Sequence, residues 1–494
     1  MKTKAALFSL PALAAIIPLV VPLAEARENS LSGGGSVSYE VYDRSGGNTQ
    51  STGQTGNNDN YSRVIINPVL TVTSAGDKNA VSLTYSPNMI YGNGENGQLQ
   101  QAVTVNGNWS PTSRWKVAVS DSYQETDTDL DNINMARFTP PPVGGQGGQT
   151  GSGGSQGGQS GAGSSQTSQS VNNSQLSDQA GRQRYSTNLV HTEAGYEYWE
   201  DSFFKFGYEF QQLRYDQLVG SNQNYDSQTL FANINHRYNS QYRLSAQARY
   251  VQGRSDENGN ASASASTSND VDELHLSTTI ESLTIPHHPL SLTYSMDSSN
   301  YDDERQANNQ LHSLLLGWTW EMSEKSKLTL SAGPTLEKTD GADDSWSYAL
   351  NASYSLQWSA NSQISFTAGH GTEMRNFSGN QNDNGPTEYW RAGLAVSQGL
   401  TENLALNLMA TAANEDVKGN TSPNGNPAGN QLAGGAHNTT QYTLGGGLNY
   451  SFARWYSLGL NYSYTTQNGN LPEDNYDEHR VMLVLSMQRD FLHW

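Results

Sequence analysis

The chain has 494 residues, a net charge of −20 and no cysteine. The absence of cysteine excludes disulfide staples, thiolate metal sites and a lipid anchor carried on an N-terminal Cys. The acidic balance excludes nucleic acid as a partner, because phosphate binding needs a basic surface. Only 34% of the residues are hydrophobic, yet 10% are aromatic, with 26 tyrosines and 10 tryptophans.

Met1-Lys2-Thr3-Lys4 opens the chain, an apolar run follows from Ala5, and Ala24-Glu25-Ala26 ends it. A charged start, an apolar stretch and a small-x-small end describe a secretory signal over 1–26. An uncleaved membrane helix fits less well, since Pro11, Pro18 and Pro22 interrupt the run. Beyond Arg27 no apolar run reaches the roughly 18 residues a spanning helix needs. A barrel with lipid outside and water inside needs apolar residues only at alternate positions, so low hydropathy is what it would show.

Segments of alternating polarity recur along the chain. They cover 36–43, 63–73, 81–91, 101–109 and 114–123, then 185–198, 203–215, 229–238, 242–251, 271–282 and 290–297. The series continues through 311–321, 326–337, 346–358, 363–372, 387–398, 403–413, 441–452, 456–466 and 478–491. Pro68 falls on the apolar phase of the second segment and costs it a ladder hydrogen bond. The pattern predicts an all-β fold: a transmembrane antiparallel up-and-down β-barrel over 27–494 with about 20 strands, about 18 falling inside the boundary error.

The connections alternate between short, as at 110–113, 239–241 and 359–362, and long, as at 252–270, 373–386 and 414–440. Outer-membrane barrels show this asymmetry between periplasmic turns and extracellular loops. Beside the short turns and in phase with the apolar face stand Trp109, Trp115, Tyr198, Phe204, Tyr238, Trp320, Trp358, Phe452 and Tyr456. Tyr91, Tyr123, Phe210, Tyr250, Trp346, Trp390, Tyr442 and Tyr464 hold the opposite strand ends. Two such rings are the aromatic girdles expected where strands cross the two membrane interfaces.

The longest connection, about 124–184, contains a Gly/Gln/Ser-rich stretch from Pro140 to Gln175 with no apolar periodicity, and is read as an extracellular loop. At its start Glu125, Asp127, Asp129 and Asp131 alternate and would share one face of an extended chain. Hard oxygen ligands of this kind suit Ca²⁺ or Mg²⁺, but the stretch lacks the Gly and the closing Glu of an EF-hand loop. A solvated acidic strand extension is the competing expectation.

If the apolar phase meets lipid, the opposite phase lines a lumen. In the first half that phase carries Glu40, Lys116, His191, Glu193, Glu197, Lys205, Glu209, Arg237, Arg243, Arg249, Glu273 and His275. From Leu290 onward it turns neutral, with Ser291, Thr293, Ser295, Ser365, Thr367, Asn407, Thr411, Thr443, Asn449, Asn461 and Ser463; Lys327 and Arg391 are the charged exceptions. Small polar linings keep an interior wet, and charges of both signs set a transverse field or simply pair with one another. The acidic balance also suits a cation-preferring channel. No G-x-S-x-G, H-E-x-x-H or P-loop is present and the histidines scatter over strands and faces, so neither catalysis nor a cofactor is expected.

The aromatic–polar-turn–alternating-strand units that begin at Trp109 (WSPTSRW), Tyr238 (YNSQYRLSA) and Trp320 (WEMSEKSKLTLS), with the tail from Tyr462 (YSYTT) through Tyr476 (YDEHRVML), resemble those of the putative β-barrel porin 2 family. The resemblance runs over most of the chain after the signal. It implies a Gram-negative outer-membrane porin-like barrel, in a family often associated with exopolysaccharide loci, and it transfers no functional residues. The expected function is a channel for passive diffusion of small hydrophilic solutes or ions. An export or conduit component that sheathes a polymer or another protein, or a surface-binding scaffold, are the alternatives. Expected partners are outer-membrane lipid and, for the conduit reading, export proteins; nothing in the sequence specifies an oligomer. In the last segment Val481, Leu483, Leu485 and Met487 lead through Arg489 to Phe491, with Trp494 out of phase. The expectation is a strand that ends at Phe491 with a three-residue tail, Arg489 snorkelling to the interface; a bulge that re-phases Trp494 is the other solution.

Overall fold

Alternating segments of this length have one apolar face each and no core of their own, so each gains stability only by pairing edge to edge with its neighbours. The computed structural model describes residues 28–46, 59–92, 95–126, 184–216, 224–255, 270–302, 306–376, 385–418, 437–470 and 475–493. The proposed signal, Asp127, Asp129, Asp131, the Gly/Gln/Ser-rich stretch and Trp494 lie outside the described residues.

Every regular element among the described residues is a strand. In order they are β1 (Glu28–Gly46), β2 (Asp59–Ala75), β3 (Asn79–Tyr85), β4 (Asn88–Gly92), β5 (Glu95–Gln100), β6 (Ala102–Trp109), β7 (Trp115–Thr126), β8 (Tyr185–Trp199), β9 (Ser202–Tyr215), β10 (Tyr225–Arg237) and β11 (Tyr242–Ser255). Then follow β12 (Val271–Ser282), β13 (Leu290–Tyr301), β14 (Asn309–Ser323), β15 (Ser326–Thr339), β16 (Ser345–Ser359), β17 (Ser362–Arg375), β18 (Gly385–Gly399), β19 (Leu404–Val417), β20 (His437–Phe452), β21 (Tyr456–Gly469) and β22 (Tyr476–His493). Each pairs antiparallel with its neighbours, and β22 pairs with β1 from Gly46↔Tyr476 down to Ser30↔His493, which closes the barrel.

The 22 strands make 20 staves, because β3 with β4 and β5 with β6 are each one stave interrupted once. Pro68 and Pro87 cause the first break; at the second, Gln101 stands opposite Pro87 and gives its N–H to the Glu125 side chain at 3.2 Å. Tyr85 pairs with Leu70 and Met89 with Ile66 in one continuous register, which sets Pro87 opposite Pro68. Neither proline has an N–H, so the ladder has a gap there with no slip. Asn67, pointing inward, fills it: its Nδ2 donates to Asn88 Oδ1 at 2.8 Å and to the Pro87 carbonyl at 3.1 Å. We predict that Asn67→Ala leaves that carbonyl without its donor and costs about 1–3 kcal/mol, read as a lower urea midpoint in micelles.

The short turns are built from local side-chain bonds. Thr112 Oγ1 accepts the N–H groups of Arg114 and Trp115, Asn239 Oδ1 those of Gln241 and Tyr242, and Thr401 Oγ1 those of Asn403 and Leu404. Ser, Thr and Asn bond their own backbone two or three residues on, which turns the chain without help from elsewhere.

The final strand departs from the expected ending. β22 continues to His493, and a register shift between Leu31 and Ser32 leaves Phe491 as the extra residue of a bulge. Leu492 thereby returns to the outward phase opposite Leu31. The bulge is accommodated because Phe491 lies on Gly33, where a Cβ would come within 2.3 Å of the ring. Arg489 does not simply snorkel; its guanidinium stands 5.7 Å from the Trp455 ring, which Arg454 also approaches at 4.9 Å.

Candidate functional site

The barrel has two faces, and the alternation of exposure tells them apart. On β14, Leu314 is 45% and Leu316 63% exposed, while Leu315 between them is 5%. The large side chains exposed on this outward phase are apolar, as lipid contact requires. Trp109, Trp115, Phe204, Trp320, Trp358 and Tyr456 are exposed on this outward phase, with Tyr198 and Phe452 in phase beside them and Tyr238 in the turn after β10. Several meet in pairs: Trp318–Trp320 and Phe452–Tyr456 stack, and Trp115–Tyr196 pack with tilted rings. At the long-loop end Tyr91, Trp346, Trp390 and Tyr442 are likewise exposed.

Glu40, Lys116, His191, Glu193, Glu197, Lys205, Glu209, Arg237, Arg243, Arg249, Glu273, Lys327 and Arg391 all sit on the inward phase of their strands. Most are held by opposite charges on the same or adjacent strands. Lys205 donates to Glu193 at 3.0 Å, Arg243 to Glu281 at 3.0 Å, and His191 lies 3.5 Å from Glu209. Arg237 pairs with Asp201 in the preceding turn. His275 has a carboxylate opposite each ring nitrogen, Asp297 at 2.7 Å from Nδ1 and Glu273 at 2.9 Å from Nε2. Arg249 faces His275 across the β11–β12 ladder and reaches Thr229 at 3.5 Å. Lys116, Glu197 and Lys327 form no ion pair among the described residues, and all three lie toward the short-turn mouth.

The second wall differs from the expected neutral lining. Thr367 faces inward, and Ser365, Asn407 and Asn461 do so around a hollow of about 280 Å³ that Gln363, Ser397 and Gly447 also line. Above it, however, Arg391 is not a lone exception. Its guanidinium donates to Glu373 at 2.6 Å and Glu415 at 2.7 Å, and Arg375 contacts the same two carboxylates at 2.7 Å each. Tyr389 lies beneath Arg391 at 4.2 Å. Three of these four charges escaped sequence reading because β17 and β19 run three and four residues past the expected ends. The added residues, Glu373-Met374-Arg375 and Asn414-Glu415-Asp416-Val417, hold only two apolar side chains and so extend the alternation weakly.

Arg63 and Arg480 were also missed, and they matter most at the seam. Glu40 on β1 is wholly buried; Arg63 Nε of β2 donates to one oxygen at 2.6 Å and Arg480 Nε of β22 lies 2.6 Å from the other. Tyr42 donates to Glu478 at 3.0 Å just above, and Arg44 covers the Tyr476 ring at 3.9 Å. One carboxylate thus ties the three strands that close the barrel.

Glu125 does not present a free carboxylate to a metal. It accepts from Tyr123 at 2.8 Å, from Arg184 at 3.2 Å and from the Gln101 N–H at 3.2 Å. Residues 124–126 belong to β7 rather than to the long loop.

Residues 347–489 match the family model described as Putative beta-barrel porin 2. Comparison with curated proteins returns no match. Among solved structures, the siderophore receptor PirA from Pseudomonas aeruginosa is 10% identical with a TM-score of 0.46, over 94% of this chain and 81% of that one. The ferric-catecholate import receptor Fiu from E. coli K12 is 8% identical with a TM-score of 0.47, over 92% and 82%. OpdQ from Pseudomonas aeruginosa is 9% identical with a TM-score of 0.40, over 94% and 99%.

Proposed function

Starting from an outer-membrane β-barrel, we propose that it is a channel for passive diffusion of small hydrophilic solutes or ions, entering through the loop-bearing extracellular mouth and leaving at the periplasmic turns. The observation that carries this reading is the exposure of inward residues in the short-turn half of β17. Gln363, Ser365 and Thr367 point into the lumen and are as open to solvent as the lipid-facing Phe366 between them. A closed core would bury them. Barrels of about 16–18 strands already leave an aqueous channel, and 20 staves enclose more.

The pairing of inward charges argues for weak ion preference despite the acidic chain. Arg391 and Arg375 balance Glu373 and Glu415, Arg243 balances Glu281, and Lys205 balances Glu193, so these groups leave little net field along the axis. In planar bilayers the refolded protein is expected to give discrete conductance steps, with a reversal potential near zero in a tenfold KCl gradient. Folded protein that inserts but never conducts would remove the channel reading. The uncharged run of Ser365, Asn407, Thr443 and Asn461 supports a second reading, a conduit for a polymer chain. A periplasmic protein that co-purifies with the barrel would favour that one.

A further inference from the structure

The barrel wall is not continuous at the extracellular mouth. Between β15 and β16 the ladder extends up to Glu337↔Ser345, and between β17 and β18 up to Arg375↔Gly385. Between β16 and β17 it stops at Leu350↔His370. Above that point 345–349 of β16 and 371–375 of β17 share no ladder, although Gly371 still lies in van der Waals contact with Ala349. The upper end of β17 turns into the lumen instead and lies against β14. On that side Leu311 and Leu315, apolar residues on the inward phase of β14, are almost fully buried.

One residue fastens the displaced edge. Asn376, directly after β17, donates from Nδ2 to Ser299 Oγ at 2.7 Å and to Glu273, and its Oδ1 accepts from the Tyr301 hydroxyl. These partners stand on β12 and β13. The ionic cluster of Glu373, Arg375, Arg391 and Glu415 lies wholly within β17–β19, so it travels with the edge and does not tie it down. Lys418, after β19, adds a single contact of 2.8 Å to Glu337 on β15.

The end of the paired ladder has the build of a pivot. His370 is stacked on Trp390 at 4.1 Å with the tilted Tyr348 ring at 4.5 Å, and its Nδ1 lies 3.0 Å from the Tyr389 carbonyl. Gly371 follows, where a Cβ would stand 3.3 Å from the Tyr389 hydroxyl that occupies the lumen side. Below His370 the wall is fixed; above it the edge can choose its partner.

We propose that 371–375 is a switchable edge. It docks on β12 and β13 through Asn376, narrowing the mouth, and alternatively zips onto 345–349 of β16, widening it. In the register of the lower ladder the zipped form sets Trp346 opposite Met374. Both forms satisfy backbone groups: the docked form leaves free edges only at the watery rim, where solvent can meet them, not in the hydrocarbon where they would be costly. The effect on flux rests on the channel reading, but the switch itself does not.

The chain has no native thiol, so paired cysteines can report each form in reconstituted membranes. Ser299→Cys with Asn376→Cys marks the docked form, and Trp346→Cys with Met374→Cys the zipped one, each joined by a short reducible bis-thiosulfonate linker. Both pairs are expected to link. The docked link should lower conductance several-fold, the zipped link should raise it, and reductant should reverse both. Adding Asn376→Ala to the zipped pair should increase its linking several-fold. A zipped pair that never links, with or without Asn376→Ala, overturns the switch, as does conductance indifferent to both links. If no variant conducts at all, the channel reading falls while the linking yields still decide the switch.

Discussion

Replacing Glu40 with alanine is expected to destabilise the closed barrel by about 3–5 kcal/mol, because it removes the buried carboxylate that the guanidinium groups of Arg63 and Arg480 share in the wall. The loss should appear as a fall in the urea midpoint in micelles with an unchanged slope, and as the heated protein losing its compact gel mobility at lower temperature. Replacing all three residues with methionine should recover most of that loss, since removing a buried ionic group entirely costs far less than removing one partner. If Glu40→Ala costs under about 1 kcal/mol, the value of a surface pair, this carboxylate does not hold the seam.

On the proposed channel reading, Arg391→Ala is expected to make conduction cation-selective. The substitution leaves Glu373 and Glu415 sharing Arg375 alone, so the wall below the extracellular mouth changes from balanced to net negative. A ring of uncompensated carboxylates at a narrow mouth attracts cations and repels anions. The reversal potential in a KCl gradient should shift by tens of millivolts toward the potassium potential, and the shift should shrink at high salt as screening sets in. Changing both Glu373 and Glu415 to glutamine should shift it the opposite way. An unmoved reversal potential in both variants would place the conduction path away from this cluster.

Both predictions concern charges that sequence reading either missed or left unpaired, and the reasons differ. Arg63 and Arg480 stand on the inward phase of segments that were recognised. What was missing is that residues 40 and 480, at opposite ends of the chain, are neighbours, which depends on closure and register. Glu373, Arg375 and Glu415 were lost to boundaries. Periodicity marks a strand only while lipid is on one side, and at these strand ends only Met374 and Val417 are apolar. The overhang of β22 shows a third kind of limit. Alternation alone cannot choose between a strand that stops and a strand with a bulge; the close fit of Phe491 on Gly33 chooses the bulge.

The sequence by itself determined the class of fold, because a bilayer outside and water inside impose period two on every crossing segment, an aromatic at each interface and an asymmetry of turns and loops. Those are local signals, repeated along the chain. Tertiary structure alone decided which inward charges neutralise each other, that Pro68 and Pro87 share one gap in the ladder, and that β17 leaves β16 above His370 to tuck inside β14. Each of these is a pairing between distant residues, set by strand register and barrel curvature.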